Sequence, residues 1–150
     1  MKFVIILIAT ILSAILYRLG GSAKKGDWLD ILRNTKTRDL GCPLVALLVL
    51  LMFGIHAQWY IHLIAFLLMF GACTTYWDWL FGYDNFYAHG LAIGLAYLPY
   101  LLIIPWYLIL ARAVIMSLFM GFWCNYFTSD IIEEGGRGAI ITATLPILLI

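Results

Sequence analysis

The chain has 150 residues, of which 65% are hydrophobic and only 11% are charged. Soluble domains carry roughly a quarter charged residues, so this composition argues against a water-soluble protein, and the net charge of +1 offers no basic surface for a nucleic-acid partner. Because the apolar runs lack the alternation of a membrane barrel, we expect an all-α, polytopic transmembrane helical bundle, folded as a single domain.

Six apolar segments follow one another along the chain, and a membrane-spanning helix needs roughly 20 residues. The segments cover residues 3–18, 43–57, 59–76, 88–104, 106–124 and 138–150. The first, second and last are short, which favours tilted helices, a locally thinned bilayer or a half-spanning end. Cys42, Cys73 and Cys124 lie near segment ends that we expect in the cytoplasm, where thiols stay reduced. They are an odd set without Cys-x-x-Cys spacing, which indicates neither a disulfide framework nor a zinc knuckle.

The basic residues indicate how the bundle is oriented. Lys2 alone precedes the apolar run of residues 3–17, whereas six basic residues follow it: Arg18, Lys24, Lys25, Arg33, Lys36 and Arg38. Because positive loops stay on the cytoplasmic side, we expect the N-terminus outside and the loop 19–41 in the cytoplasm. The other two polar loops then face the cytoplasm as well, opposite a side with only tight turns.

A polar and aromatic stretch, residues 76–90, separates the third and fourth segments. It contains Asp78, Asp84, Asn85 and His89, which offer oxygen and imidazole ligands to a divalent cation, or an acid and a base to a reaction. If a helix begins here, Asn85 and His89 share one face. The structural alternative is that Asp84 is the helix N-cap and that the aromatic residues form an interfacial belt.

A third polar stretch, residues 125–138, combines acids with glycines. Glu134 joins Asp78 and Asp84 as a candidate metal ligand, and these three together with His89 are the candidate catalytic residues. Arg137 lies among glycines, so we expect a flexible backbone and a guanidinium able to contact a phosphate.

The first loop offers a similar pairing of arginine and glycine in Arg18, Gly20, Gly21 and Arg38. We therefore expect a ligand-binding set that faces an anionic lipid or a nucleotide, with a divalent cation as a cofactor hypothesis. Its members are Arg18, Gly20, Gly21, Arg38, Asn85, Arg112 and Arg137. The structural alternative is a group of flexible loops whose basic side chains snorkel to the interface.

Arg112 is the charge that the sequence explains least, since it lies inside the fifth apolar segment. There it must pair, snorkel to the outer interface or line a water-filled pocket, and the sequence leaves these choices open. Gly90 and Gly94 permit close packing of the fourth helix. His56 and His62 flank a turn, where they form either a metal or proton-relay pair or two interfacial residues without such a role.

Several motifs together resemble a family of small polytopic membrane proteins of tailed bacteriophages and prophages. They are Arg18-Leu19-Gly20-Gly21, Trp77-Asp78-Trp79, Asp84-Asn85, His89-Gly90 and Glu134-Gly135-Gly136-Arg137-Gly138. The resemblance implies a multi-pass protein of the bacterial inner membrane and carries no activity with it. The chain lacks the signature motifs of CDP-alcohol phosphotransferases, lipid phosphatases and small glycerol-phosphate acyltransferases.

Three classes of function therefore compete. The first is a membrane-embedded enzyme or binding protein that handles a phosphate-bearing lipid or nucleotide at the cytoplasmic face. The second is a non-enzymatic superinfection-exclusion, envelope-modifying or pore-forming protein, for which an oligomer is an option. The third is a small transporter with Arg112 and the fourth helix, disturbed by Pro99, along its path.

Overall fold

The computed structural model describes residues 1–19, 38–73, 85–127 and 130–149. All regular elements in these ranges are helical, which confirms the all-α prediction. The six α-helices are α1 (Lys2–Leu19), α2 (Arg38–Met52), α3 (Trp59–Cys73), α4 (Phe86–Leu95), α5 (Trp106–Tyr126) and α6 (Asp130–Ala143). Two short 3₁₀ helices, Leu98–Leu102 and Leu145–Leu149, follow α4 and α6.

Helix α2 ends earlier than its apolar run suggests. Gly54 follows it with φ of 87°, in the left-handed region that glycine adopts without steric cost. The amide of Ile55 donates to the carbonyl of Leu50 at 3.0 Å, and the amide of Gly54 donates to Leu51 at 3.1 Å. This arrangement is a Schellman C-cap, which satisfies carbonyls that the helix leaves open and turns the chain toward α3.

The fourth apolar segment is two helices rather than one. Helix α4 ends at Leu95, and the 3₁₀ helix that follows carries Pro99 near its start. Proline has no amide hydrogen and cannot continue an α-helix in register, which accounts for the break. Tyr97 and Tyr100 are placed inside the bundle by this change of direction, and both are buried.

The expectation of a flexible loop up to residue 138 is wrong. Helix α6 begins at Asp130, so Gly135, Gly136 and Gly138 are helical. Acidic residues near its start favour a helix N-terminus, and the glycines allow close packing. A side chain at Gly138 would collide with the carbonyl of Ser13, so tight contact with α1 offsets the cost of a helical glycine there, about 1 kcal/mol.

Helix α4 packs closely on α5 through Gly90 and Gly94, as their spacing predicted. A Cβ at Gly90 would lie 2.6 Å from the carbonyl oxygen of Met116, and one at Gly94 would collide with the Cα of Ala113. His89 lies on the same helix and is buried. The two glycines therefore set how near the two helix backbones approach.

Helix α1 has two different faces. Ala9, Ser13 and Tyr17 recur at four-residue intervals and are buried. The hydroxyls of Ser13 and Thr142 form a 2.5 Å hydrogen bond that joins α1 to α6. The thiol of Cys42 donates to the carbonyl of Ser13 at 3.5 Å, which adds α2 to the same contact. The opposite face of α1 is apolar and exposed.

Helix α5, Trp106–Tyr126, is the one helix among the described residues that is long and apolar enough to cross a membrane. Three shorter apolar helices accompany it, at Leu40–Met52, Trp59–Cys73 and Phe86–Leu95. Large apolar side chains stay exposed on several helices, including Leu7 at 60%, Leu67 at 54% and Phe122 at 63%. The described part of the chain thus contains one candidate span and an extensive apolar exterior.

Candidate functional site

The helix ends next to the predicted polar loops meet at one end of the bundle. Near the end of α1, Arg18 lines the same groove as Gly135 of α6. The guanidinium of Arg137 lies 4.4 Å from the ring centroid of Phe86, at the start of α4, and 3.2 Å from the sulfur of Cys124, near the end of α5. We call this end the arginine end. At the opposite end, Lys2 lies 5.9 Å from the ring of Phe53.

Arg137, Glu133, Cys124 and Phe86 form the Arg137 cluster. Nη2 of Arg137 donates to Oε1 of Glu133 at 2.7 Å, and Nε donates to the sulfur of Cys124. The guanidinium plane also contacts the face of Phe86, a cation–π contact. Because Arg137 is only 7% exposed and has a partner on each side, its first role is to hold α4, α5 and α6 together.

Glu134 lies beside this cluster and is 8% exposed. In the described part of the chain, no group of three or more His, Cys, Asp or Glu residues is arranged to hold a metal ion. Asp78 and Asp84, the partners expected for Glu134, lie outside the described residues. The metal site and its divalent cation therefore stay a prediction.

Asn85 and His89 have separate roles in the structure. Asn85 is the N-cap of α4, because its side-chain oxygen accepts a hydrogen bond from the amide of Ala88 at 3.1 Å. The expected cap, Asp84, is thus one residue too early. His89 is 2% exposed, and its Nε2 donates to the carbonyl of Ala72 at 2.9 Å, which links α4 to α3. A catalytic role for His89 stays a prediction.

Arg18 is the exposed arginine at the arginine end. It lines an open groove of about 450 Å³ together with Ala14, Ile15 and Gly135, and we call this space the Arg18 groove. Among the described residues, no acidic side chain forms an ion pair with Arg18, in contrast to Arg137. Gly20 and Gly21 lie outside the described residues, as does the side chain of Arg38, whose backbone begins α2.

Arg112 is fully buried, which decides the question that its sequence position left open. Its Nη2 donates to the carbonyl of Ile141 at 2.7 Å, and its guanidinium carbon lies 4.5 Å from the ring centroid of Tyr97. These three residues form the Arg112 cluster. Nε and Nη1 are buried and have no hydrogen-bond partner within the described ranges.

Arg112 contacts the chain at the two places where an α-helix ends and a 3₁₀ helix follows. Tyr97 follows the end of α4, and Ile141 lies in the last turn of α6. Helix C-termini carry partial negative charge and open carbonyls, so a cation beside them is favourable. Arg112 therefore stabilises both breaks, and among the described residues its charge is compensated by a backbone carbonyl and an aromatic ring.

The proposed pairing of His56 with His62 is replaced by another contact. His56 is exposed, whereas Nδ1 of His62 lies 2.8 Å from the hydroxyl of Tyr100. The amide of Ala57 donates to Nε2 of His62 at 3.2 Å, so Nδ1 carries the hydrogen and donates to Tyr100. No disulfide joins Cys42, Cys73 and Cys124 to one another, and all three are buried.

The sequence pointed to the charged and imidazole side chains of the site, but not to the residues that contact them. Tyr97 and Tyr100 are two hydroxyl-bearing residues in an apolar run on either side of Pro99, and that placement was the available signal. Phe86 and Cys124 carry no comparable signal, because an aromatic ring and a thiol near a membrane interface are common in any role.

Comparison with protein-family models, with curated proteins and with solved structures finds no match for this chain.

Proposed function

We propose that the protein is a multi-pass membrane protein of the bacterial inner membrane that binds a phosphate-bearing ligand at its arginine end. The six helices with their 3₁₀ extensions would be the membrane segments, and the N-terminus would lie outside the cytoplasm. The proposal is for binding, because His89 and Arg137 are already engaged by protein groups.

The exterior of the helices supports the membrane part of the proposal. Phe3 is 89% exposed and Leu102 is 91% exposed, and exposed apolar side chains recur on α1, α3 and α5. Soluble monomers rarely expose contiguous apolar surface beyond a few hundred Å². Lipid is the environment in which such an exterior is favourable, and each helix satisfies its own backbone there.

The single observation that supports ligand binding is the exposed position of Arg18 beside the groove. Its guanidinium is exposed beside a groove and forms no ion pair with the described acidic residues, whereas the buried Arg137 has Glu133. A planar guanidinium with five N–H donors is well suited to phosphate oxygens. The other basic residues that follow α1 in sequence, from Lys24 to Lys36, would add to the attraction for an anion.

The membrane arrangement is tested by labelling cysteines introduced at the two ends of α1. We expect Lys2→Cys to react with a membrane-impermeant maleimide from the outside of intact cells, and Arg18→Cys to react only in inverted vesicles. The native cysteines are buried and give a low background. Labelling of both positions from the same side would show that α1 does not span the membrane.

The ligand part is tested with the full chain purified in detergent. Its thermal unfolding midpoint is measured with inorganic phosphate, ATP and dioleoyl phosphatidylglycerol, each compared with sodium chloride at matched ionic strength. A ligand that binds the folded state raises the midpoint in a concentration-dependent way. If none of the three raises it, or if Arg18→Gln responds as the wild type does, the arginine end is not a phosphate site.

A further inference from the structure

We infer that the ligand of the Arg18 groove is a glycerophospholipid, with its phosphate on Arg18 and one acyl chain along the apolar face of α1. This inference rests on the proposed function and names the ligand of the same site. It is carried by three observations: the lining of the groove, the pattern of exposed residues on α1 and the lack of an ion pair between Arg18 and any described acidic residue.

The lining of the Arg18 groove fits an acyl chain better than a nucleotide. Its walls are Ala14, Ile15 and the backbone at Gly135, and Arg18 supplies the charged group. A nucleobase would require hydrogen-bond partners in addition to the phosphate-binding arginine, or an aromatic surface for stacking, and the described part of the lining supplies neither. An aliphatic chain is recognised by shape and by removal of apolar surface from water.

Helix α1 continues the groove as an apolar track. Leu7, Ile11, Ile15 and Arg18 are spaced by four, four and three residues, so they lie on one helix face. The three apolar residues are 60%, 52% and 50% exposed. With a rise of 1.5 Å per residue, the track from Leu7 to Arg18 is roughly 16 Å long, ending at the guanidinium.

This arrangement reproduces the order of groups in a phospholipid: a long apolar part followed by an anion at one end. Snorkelling alone would place Arg18 at the interface. The groove adds a concave space beside it, because Gly135 on the facing helix has no side chain and an added Cβ there would meet nothing within 4 Å. The described residues therefore leave this space open to a ligand.

The test separates chain recognition from phosphate recognition. Thermal unfolding of the purified full chain is followed during titration with dioleoyl phosphatidylglycerol, with dioleoylglycerol, which has the same chains without phosphate, and with glycerol 3-phosphate, which has no chains. We expect only the phospholipid to raise the midpoint at micromolar concentration. Loss of the charge-assisted hydrogen bonds in Arg18→Gln should weaken its apparent affinity about tenfold or more.

Two matched pairs of variants locate the site. Lys2→Gln removes the same charge at the other end of α1 and should bind as the wild type does. Gly135→Leu should fill the groove and abolish the response, whereas Gly135→Ala adds only a Cβ that meets no neighbour and should retain most of it. Arg18→Gln is compared with Lys2→Gln, and Gly135→Leu with Gly135→Ala. In each pair the second variant shows whether a lost response reflects the site or a general loss of stability.

The outcomes distinguish the inference from the function on which it rests. If glycerol 3-phosphate, inorganic phosphate or ATP binds through Arg18 while the phospholipid has no effect, the inference is overturned and phosphate binding stands. If dioleoylglycerol is as effective as the phospholipid, or Gly135→Leu binds normally, the inference also fails. If no phosphate compound acts through Arg18, both the inference and the proposed function are wrong.

Discussion

The Arg112 cluster and the Arg18 groove contain the same residue type in opposite situations. Arg112 is fully buried, contacts the ends of two helices and faces an aromatic ring. Arg18 is exposed and faces an open space. The difference teaches that an arginine in an apolar sequence is not by itself a sign of function: its neighbours decide whether its donors serve the fold or remain for a ligand.

The strongest way to challenge this comparison is to remove the buried side chain. Arg112→Ala should lower the free energy of unfolding by about 4 kcal/mol, because it leaves a cavity and removes the 2.7 Å hydrogen bond to the carbonyl of Ile141. The measurement is unfolding in a dodecyl sulfate titration followed by circular dichroism. Arg18→Ala is the control, and equal losses for the two variants would contradict the distinction between buried and exposed arginine.

The next largest effect concerns the glycine contact beside Arg112. Gly94→Ala places a methyl group against the Cα of Ala113, where backbone cannot yield easily, and should cost about 2 kcal/mol. Gly135→Ala, in the Arg18 groove, should be neutral or slightly stabilising, since alanine favours helix and finds open space. The same unfolding titration compares the pair. A neutral Gly94→Ala would show that α4 and α5 are less closely packed.

The aromatic partner of Arg112 gives a smaller and more selective effect. Tyr97→Leu removes the ring that faces the guanidinium, whereas Tyr97→Phe keeps it. Tyr97→Leu should therefore lower the free energy of unfolding by about 1 kcal/mol more than Tyr97→Phe does. The difference between the two variants, measured by unfolding, isolates the ring contact. In an Arg112→Ala background that difference should shrink, and its persistence would show that the ring stabilises the fold by some other contact.

The smallest effect on stability is expected at the proposed ligand site. Arg18→Gln should change the free energy of unfolding without ligand by less than about 0.5 kcal/mol, as exposed substitutions usually do. Its response to the phosphate ligand should nevertheless fall. A large loss of stability in the absence of ligand would place Arg18 with Arg112 among the residues that support the fold.

The parts of the fold that could be predicted from the sequence are those set by local apolar pattern. Helices α1 and α5 end within a few residues of their expected limits, because a continuous apolar run leaves few other choices. The start of α6 could not be found in this way. Gly136 and Gly138 have a low helix propensity, and it is offset by their close contacts with Trp123 of α5 and Ser13 of α1, which are not local in sequence.

The candidate site shows the same limit. The sequence located Arg18, Arg112 and Arg137, since charges stand out in an apolar chain. It did not tell which of them is buried, because burial depends on the partners Tyr97 and Cys124, which lie elsewhere in the sequence. Partner identity is a property of helix packing, so a charged residue could be found while its role could not.

The hydroxyl pair of Ser13 and Thr142 has a consequence for biogenesis. The two residues are 129 positions apart, and they join α1, the first described α-helix, to α6, the last. Since ribosomes synthesise the chain from its N-terminus, α1 emerges long before the surface of α6 that receives Ser13 and Tyr17 exists. The buried face of α1 must therefore wait for its partner, and assembly of the native bundle is completed only after translation has passed residue 142.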